Sequence, residues 1–191
     1  RLKGHGQGPD GFRGVETGEW INDTREAGTI GKKIGEKVFL IAVSTGAPLV
    51  MHLYNEDPSY AGLILIVPNF KPADPNAEMI LWPWGNVILK AVVGEYRTYE
   101  PHNEIHRKYA SWKHHSDALF PMMGSVAIAR GLPYESMKVP VLVICTDNDG
   151  VVSMDAIKDF YKRIGSSQKK LINYPEACGH LMCGQMSDGK F

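Results

Sequence analysis

The chain has 191 residues and equal numbers of basic and acidic side chains, 21 of each, so its formal net charge is zero. A chain of this length is typical of one domain with its own core, and a hydrophobic content of 43% excludes the disordered class. Zero net charge removes the electrostatic argument for a dedicated nucleic-acid or anionic-membrane binder, and apolar runs as short as 63–67 cannot span a bilayer.

The sequence begins at Arg1 rather than at Met, and no signal-like apolar stretch follows. We therefore expect either a processed start or a piece of a longer protein. Three cysteines are too few for a disulfide scaffold, so a cytoplasmic location is the expectation, although any signal peptide would precede Arg1.

The first predicted element after a glycine-rich loop over residues 1–19 is an amphipathic helix. Apolar residues recur at helical spacing from Trp20 to Ile34. We expect Gly35 to end this helix as a left-handed C-cap residue.

Short β-prone runs then alternate with helical patterns. The runs cover residues 37–43, 62–67, 139–145 and 170–174. The helical patterns lie around Leu49 and after Ser153, which is a plausible N-cap. This alternation predicts the α/β class with a mostly parallel sheet, and the continuous apolar character of 37–43 predicts a strand covered on both faces.

The alternation stops over residues 71–137. This segment contains eight of the 18 aromatic residues and four of the eight methionines, and it is predicted to be mainly helical with no strong strand. We expect residues 1–70 and 138–191 to form the core and residues 71–137 to form an inserted helical cap, whose aromatic and methionine side chains line an apolar pocket. The alternative is a small helical subdomain in which these side chains simply pack.

Three patterns carry weaker indications. Residues 6–11 match G-x-G-x-x-G, but no strand precedes them and no helix starts within them, so we reject a dinucleotide site and expect no cofactor. Cys178, His180 and Cys183 lack further ligands at zinc spacing, so we expect no metal. The basic, aromatic segment 102–115 has the composition of a single-strand nucleic-acid surface, but in a neutral chain a solvated helix face is preferred.

Ser44 has a different context, because a strand precedes it and a helix follows it. Such a turn lifts a hydroxyl above the carboxyl edge of a parallel sheet. Carboxylates at Asp147 and Asp149 follow the strand 139–145, and His180 follows the strand 170–174. The order Ser, acid, His at strand ends is what a serine nucleophile with its base and orienting acid requires.

At these motifs the sequence resembles the α/β-hydrolase superfamily, and in particular carboxylesterases and lipases of the monoacylglycerol-lipase type. Residues 42–46 (Ala-Val-Ser-Thr-Gly) look like the nucleophile elbow, residues 146–152 like the acid loop, and Gly179-His180 like the histidine loop. Residues 71–137 stand at the usual place of the cap.

The resemblance implies a catalytic triad with Ser44 as nucleophile, His180 as general base and acid, and Asp149 as its orienting acid. Asp149 is preferred over Asp147 because the acid of the family stands two residues before a Val-Val pair. The backbone N–H of Thr45 would be one oxyanion-hole donor.

Two departures from the family pattern are visible. The first elbow position is Ala42 where the pattern has Gly. The second oxyanion donor of the family lies in a loop after an earlier strand, and neither that loop nor the N-terminal strands of the fold are found in this sequence. The Gly4-His5-Gly6 triplet belongs to the connection before the elbow helix, and it does not replace that loop.

The resulting expectation is a serine hydrolase that cleaves small apolar carboxylic esters, with medium or long acyl groups, through an acyl-enzyme. The alternatives are an acyltransferase, thioesterase or peptidase on the same triad, or a catalytically inactive module that binds a small ligand. The oligomeric state stays open.

Overall fold

The computed structural model of the protein describes residues 1–177 and 179–182. Within that part the α-helices are α1 (Thr17–Ile34), α2 (Gly46–Glu56), α3 (Gly85–Val92), α4 (Glu104–Tyr109), α5 (Leu119–Arg130) and α6 (Met154–Arg163). The strands are β1 (Phe39–Val43), β2 (Gly62–Ile66), β3 (Tyr96–Thr98), β4 (Lys113–His115), β5 (Val141–Cys145) and β6 (Lys169–Asn173). Short 3-10 helices cover Pro9–Phe12, Pro75–Leu81, Ser116–Ala118 and Tyr134–Ser136.

The main sheet is parallel throughout the described residues and has the strand order β1-β2-β5-β6. Its register places Ala42 opposite Leu65 and Leu65 opposite Val143. Because parallel strands need crossover connections, helices lie between them, and all four carboxyl ends meet at one edge. The prediction of a parallel α/β sheet flanked by helices is confirmed.

One face of this sheet is the core. Leu40, Leu63, Val141 and their same-face neighbours are buried against α2 and α6, together with residues that follow α5. On the opposite face of β1, the side chains of Phe39 and Ile41 are 57% and 65% exposed.

The prediction that the strand at 37–43 is covered on both faces is therefore wrong for the described residues. The physical reason is that, among the described residues, α2 packs on the Leu40 and Ala42 face of β1 only. A continuous apolar run gives no information on which face of an edge strand is covered.

Helix α1 begins earlier than its apolar periodicity indicates, at Thr17, because the Glu16 N–H donates to the Glu19 carboxylate (3.0 Å) and caps the first turn. The helix ends at Ile34, as predicted, but Gly35 has extended backbone (φ −131°), so the left-handed C-cap prediction is wrong. Ile34 is 81% exposed, and α1 packs instead through Trp20 and the close approach of Gly28 to Tyr60.

Residues 71–137 are mostly helical and also contain a feature that the sequence analysis did not predict. Strands β3 and β4 form an antiparallel pair, with Arg97 opposite His114. Helix α5, at the end of the segment, packs on α1 and α2. Within the described residues no helix combines the length and the apolar character needed to cross a bilayer.

Candidate active site

Ser44 lies directly after β1 in a left-handed backbone conformation (φ 50°) that is strained for a residue with a side chain. Its N–H donates to the Ile66 carbonyl at the end of β2 (2.9 Å). Its own carbonyl accepts from the N–H groups of Ala47 and Asn69, each at 3.0 Å. Backbone bonds on three sides therefore hold the strained turn, which raises the Ser44 hydroxyl above the carboxyl edge of the sheet.

Ala42 occupies the position where the elbow pattern has Gly. A Cβ placed on Gly46 would lie 3.5 Å from the Ala42 Cβ, which is ordinary van der Waals contact. The Ala42 methyl group therefore fits beside Gly46 without crowding the start of α2.

Ser44, His180 and Asp149 form a continuous hydrogen-bonded chain. The Ser44 Oγ lies 2.8 Å from the His180 Nε2, and the His180 Nδ1 lies 2.7 Å from the Asp149 Oδ2. Because an ionised carboxylate can only accept, the imidazole Nδ1–H is the donor to Asp149. This leaves the Nε2 lone pair of neutral His180 to accept the Ser44 hydroxyl proton.

The environment of Asp149 keeps this carboxyl group ionised. Burial alone would raise its pKa, since its side chain is 0% exposed. The hydrogen bond with His180, together with Oδ1 bonds from the N–H groups of Val151 (2.8 Å) and Val152 (3.1 Å), outweighs burial and lowers the pKa of Asp149 below its ordinary value. The carboxylate is thereby fixed in both charge and direction.

Asp147 faces a different set of partners. Its carboxylate accepts from the Asn173 amide and from the Lys158 ammonium (3.3 Å). These bonds, the Asn173 bond first, lower the pKa of Asp147. Of the two candidate acids, Asp149 is the one in contact with the imidazole.

Thr45, the predicted oxyanion donor, is the N-cap residue of α2. The first N–H groups of a helix have no acceptor within the helix, and they point along a dipole whose positive end is at this terminus. The Thr45 N–H therefore lies beside Ser44 where it can donate to an oxyanion formed on the serine.

The carboxyl edge of the sheet borders a chamber of about 810 Å³. Its floor includes Ser44, Thr45 and His180, and most of its wall comes from residues 97–122 and from the N-terminal loop. The wall side chains are Arg1, Leu2, His5, Phe12, Trp20, Arg97, Tyr99, Tyr109, Ser111, His114, Leu119 and Met122. Burial lowers the pKa of both His5 and His114, which favours their neutral forms.

A second cavity, of about 280 Å³, adjoins this chamber and is lined mainly by aliphatic and methionine side chains. Arg97, Leu119 and Met122 belong to the linings of both spaces. The two together have the size and the apolar character of a small-molecule site.

Asn69 and Arg97 also line the site and were not among the residues predicted from sequence. Asn69 is 3% exposed, lines the second cavity and has an Oδ1 with no hydrogen-bond partner among the described residues. It follows Val67, a second residue with positive φ (42°), at the end of β2. A polar residue just after the strand next to the elbow was the available signal for Asn69; no signal in the sequence indicated Arg97.

The structure describes only part of the other patterns noted in the sequence. Residues 6–11 lie in turns and a short 3-10 helix, and α1 starts only at Thr17. Within the described part, no group of three or more His, Cys, Asp or Glu side chains is arranged to hold a metal ion. Cys178 and Cys183, the thiols of the zinc interpretation, lie outside the described residues, and Cys145 is a buried free thiol.

Comparison with protein families gives one match, to the model Hydrolase_4, described as serine aminopeptidase, S33, over residues 2–184. A search of curated protein sequences found no significant match.

Several solved structures share the fold. One comes from work on LipS and LipT, two metagenome-derived lipolytic enzymes (TM-score 0.79, 21% identity, 94% of this chain and 71% of that one). Another is the monoacylglycerol lipase of Paleococcus ferrophilus (TM-score 0.67, 19% identity, 93% and 72%). A third is a soluble variant of the Saccharomyces cerevisiae monoglyceride lipase with a substrate analogue (TM-score 0.65, 14% identity, 92% and 66%). The chain thus spans about two thirds to three quarters of these proteins.

Proposed function

Because the chain belongs to the Hydrolase_4 (serine aminopeptidase, S33) family of α/β hydrolases, we propose that it is a serine hydrolase that cleaves carboxylic esters through Ser44, His180 and Asp149. The observation that carries this proposal is the hydrogen-bonded chain from the Ser44 Oγ through both imidazole nitrogens to the Asp149 carboxylate, with distances of 2.8 and 2.7 Å. Those are hydrogen-bond distances between nucleophile, base and orienting acid, in the order that acyl transfer requires.

In the first half of the proposed reaction, His180 Nε2 takes the Ser44 hydroxyl proton while the Oγ attacks the ester carbonyl carbon. The electron pair of the carbonyl moves to its oxygen, and the Thr45 N–H donates to the resulting oxyanion. Asp149 stabilises the imidazolium that forms. When the C–O bond to the alcohol breaks, His180 Nε2–H gives its proton to the leaving oxygen, and the acyl group stays on Ser44.

In the second half, water replaces the alcohol. His180 Nε2 takes a proton from the water as its oxygen attacks the acyl carbon, and the proton returns to Ser44 Oγ when the acyl–enzyme bond breaks. The products are one carboxylic acid and one alcohol, and the enzyme returns to its starting protonation state.

An apolar acyl group is the substrate portion that the two cavities favour. The smaller one is lined by side chains such as Met79, Ile88 and Leu89, and it opens beside the chamber of Ser44. Burying a methylene group in such a space contributes about 0.8 kcal/mol. The similar folds include lipolytic enzymes and monoacylglycerol lipases, which agrees with esters of medium or long acyl chains.

Peptide hydrolysis is the second candidate, since the family description names an aminopeptidase. An aminopeptidase must hold an α-ammonium group, for which a carboxylate is the natural partner. The described lining of the Ser44 chamber contains no Asp or Glu side chain, and the one carboxylate in the described lining of the adjoining cavity, Asp74, already accepts from the Asn76 N–H (2.9 Å). The chamber therefore favours esters over peptides with a free amino terminus.

We also propose that residues 71–137 act as the cap of the site. Arg97, Tyr99, Tyr109 and Met122 of this segment line the chamber, opposite the carboxyl edge that holds Ser44. A wall made by an inserted segment can set which substrates enter without changing the reacting groups.

The proposal is tested by hydrolysis of p-nitrophenyl esters of increasing acyl length by the full chain and by Ser44→Ala. We expect wild-type turnover that peaks at a medium or long acyl group and falls by about 10⁴-fold or more in Ser44→Ala. Ser59→Ala, an exposed serine in the loop before β2, serves as the matched control and should keep full activity. Wild-type chain that binds these esters without turnover would instead support an inactive ligand-binding module.

A further inference from the structure

Two arginines differ from the others in their partners. The chain has seven arginines, all within the described residues, and five of them lie within 3.9 Å of a carboxylate oxygen. Arg1 and Arg97 have no carboxylate within ion-pair distance among the described residues, and Arg97 makes no side-chain hydrogen bond with them either. Both of these arginines line the Ser44 chamber.

The rest of the chamber supplies no compensating negative charge. Its described lining holds no Asp, Glu or Lys, and its histidines His5 and His114 have pKa values lowered by burial. The adjoining cavity has one carboxylate in its described lining, Asp74, which is not within ion-pair distance of Arg97. The permanent charges on the wall are therefore the two guanidinium groups. In a chain whose net charge is zero, this is a local concentration of positive charge at the site.

Arg97 has the better position for contact with a substrate. It lies in the middle of β3, opposite His114 of β4, and it lines both the chamber and the smaller apolar cavity. Arg97 thus lies at the junction between the Ser44 chamber and the apolar cavity. Burial is the main cause of the lowered pKa of His114, and the positive charge of Arg97 lowers it further. This effect agrees with Arg97 and His114 lying close together.

Three neighbouring cations in the same segment have other partners. Arg107 pairs with Glu100 (3.9 Å), Arg130 with Glu78 (2.6 Å), and the Lys113 ammonium lies 5.1 Å from the centre of the Tyr96 ring. A guanidinium group presents a planar set of donors that match a carboxylate or phosphate bidentately. An unpaired guanidinium facing a binding space is therefore suited to an anionic group.

Resting on the proposed ester hydrolysis, we propose that the substrate is an anionic ester, whose acyl portion carries a carboxylate that Arg97 binds. The reaction at Ser44 is unchanged, and the products are a dicarboxylic acid and an alcohol. The methylene groups between the two carboxyl functions would lie in the chamber, which both Ser44 and Arg97 line. This assigns Arg97 as a specificity-determining residue and not as part of the reacting groups.

The test compares two substrates of equal length: mono-p-nitrophenyl esters of dicarboxylic acids, and the same compounds with the free carboxylate capped as a methyl ester. A short series of diacids with different numbers of methylene groups covers the unknown distance between the ester carbonyl at Ser44 and the carboxylate at Arg97. We expect wild-type kcat/KM to favour the anionic ester at one or more lengths, and the ratio to fall about tenfold in Arg97→Gln, the lower end for a charge-assisted hydrogen bond at an exposed group. The loss should lie in KM, and added salt should reduce the wild-type preference.

Lys113→Gln is the matched control, since it removes one positive charge from the same hairpin outside the chamber lining. Arg97→Lys keeps the positive charge but removes the planar guanidinium group, so it tests whether charge alone is enough. An unchanged ratio in Arg97→Gln, or an equal fall in Lys113→Gln, would overturn the inference. A wild-type preference for the capped ester would also overturn it.

Calorimetric titration of Ser44→Ala with the monomethyl ester of the same diacid separates this inference from the proposed function. Binding that weakens about tenfold on adding Arg97→Gln supports the anion site even if the wild-type chain turns over neither ester, in which case only ester hydrolysis fails. If the wild-type chain turns over the capped ester but binding of the monomethyl ester does not depend on Arg97, the proposed hydrolase function stands and the anion site is overturned.

Discussion

The carboxyl edge of the sheet and the wall formed by residues 71–137 face each other across the chamber, and they are built in different ways. At the edge, Ser44 is held by three backbone hydrogen bonds and Asp149 by two backbone N–H donors. In the wall, Tyr109 is 70% exposed and Tyr99 40% exposed. From this difference we propose that the backbone of the fold positions the reacting groups, whereas individual side chains of the wall select among substrates.

The largest expected effect at the edge comes from His180. Removing the imidazole in His180→Ala takes away the group that accepts the Ser44 proton, so we expect kcat for ester hydrolysis to fall by about 10⁴-fold or more. His102→Ala, a histidine outside the chamber lining, should retain nearly full activity. A similar fall in kcat in both variants would contradict the role of His180 as the base at the carboxyl edge.

The two neighbouring aspartates give the next test, because they lie only two residues apart and have different partners. Asp149→Asn should leave the imidazole in the wrong tautomer and lower kcat by about 10⁴-fold. Asp147→Asn breaks bonds to Lys158 and Asn173 on the surface and should change kcat by less than about threefold. Steady-state kinetics of the two variants side by side decides the assignment, and a reversed order would give Asp147 the role of the triad acid.

On the wall, Met122 lies between the chamber and the smaller cavity. Met122→Ala opens the junction, and we expect the ratio of kcat/KM for long to short acyl esters to rise about fourfold, the factor that corresponds to one buried methylene group. A p-nitrophenyl ester series measures this ratio, with Met154→Ala, a methionine at the start of α6, as the control. A fall in kcat that is equal for all lengths would place Met122 with the reacting groups instead.

The smallest effect concerns stability in acid. The folded-state pKa of Asp149 is below the ordinary value of 3.8, so ionised Asp149 stabilises the fold above that pH, and this contribution is lost as the pH falls through the lower folded-state pKa. The difference in free energy of unfolding between wild type and Asp149→Asn should therefore shrink as the pH falls below 3.8. Urea titrations at several pH values measure it, and a difference that grows toward acid would contradict the pKa direction.

The residues at the carboxyl edge of the sheet could be predicted from sequence because each of them follows a strand. Ser44, Asp149 and His180 each follow a recognisable β-prone run, and parallel strands bring their carboxyl ends together whatever the details of packing. The helix after Ser153 was likewise predicted, and the Ser153 Oγ accepts from the Ala156 N–H (3.3 Å) as an N-cap residue should. Local signals and topology agree at these positions.

The wall could not be predicted to the same extent. Strands β3 and β4, with the sequences Tyr-Arg-Thr and Lys-His-His, are three residues long and have no alternating apolar pattern. The pairing of an arginine depends on residues far away in sequence, so the unpaired state of Arg97 becomes visible only in three dimensions. The exposed side of β1 was missed for a related reason, since an apolar run does not tell which face is covered.

The central claim is that Ser44 is a nucleophile activated by His180, and covalent labelling tests it most directly. The full chain is treated with a fluorophosphonate, which reacts with activated serines, and the adduct is located by peptide mass spectrometry. We expect a single adduct on Ser44 that is lost in His180→Ala, where the Ser44 hydroxyl remains but its base is gone. An unlabelled Ser44 in the wild-type chain, or equal labelling of wild type and His180→Ala, would contradict the claim.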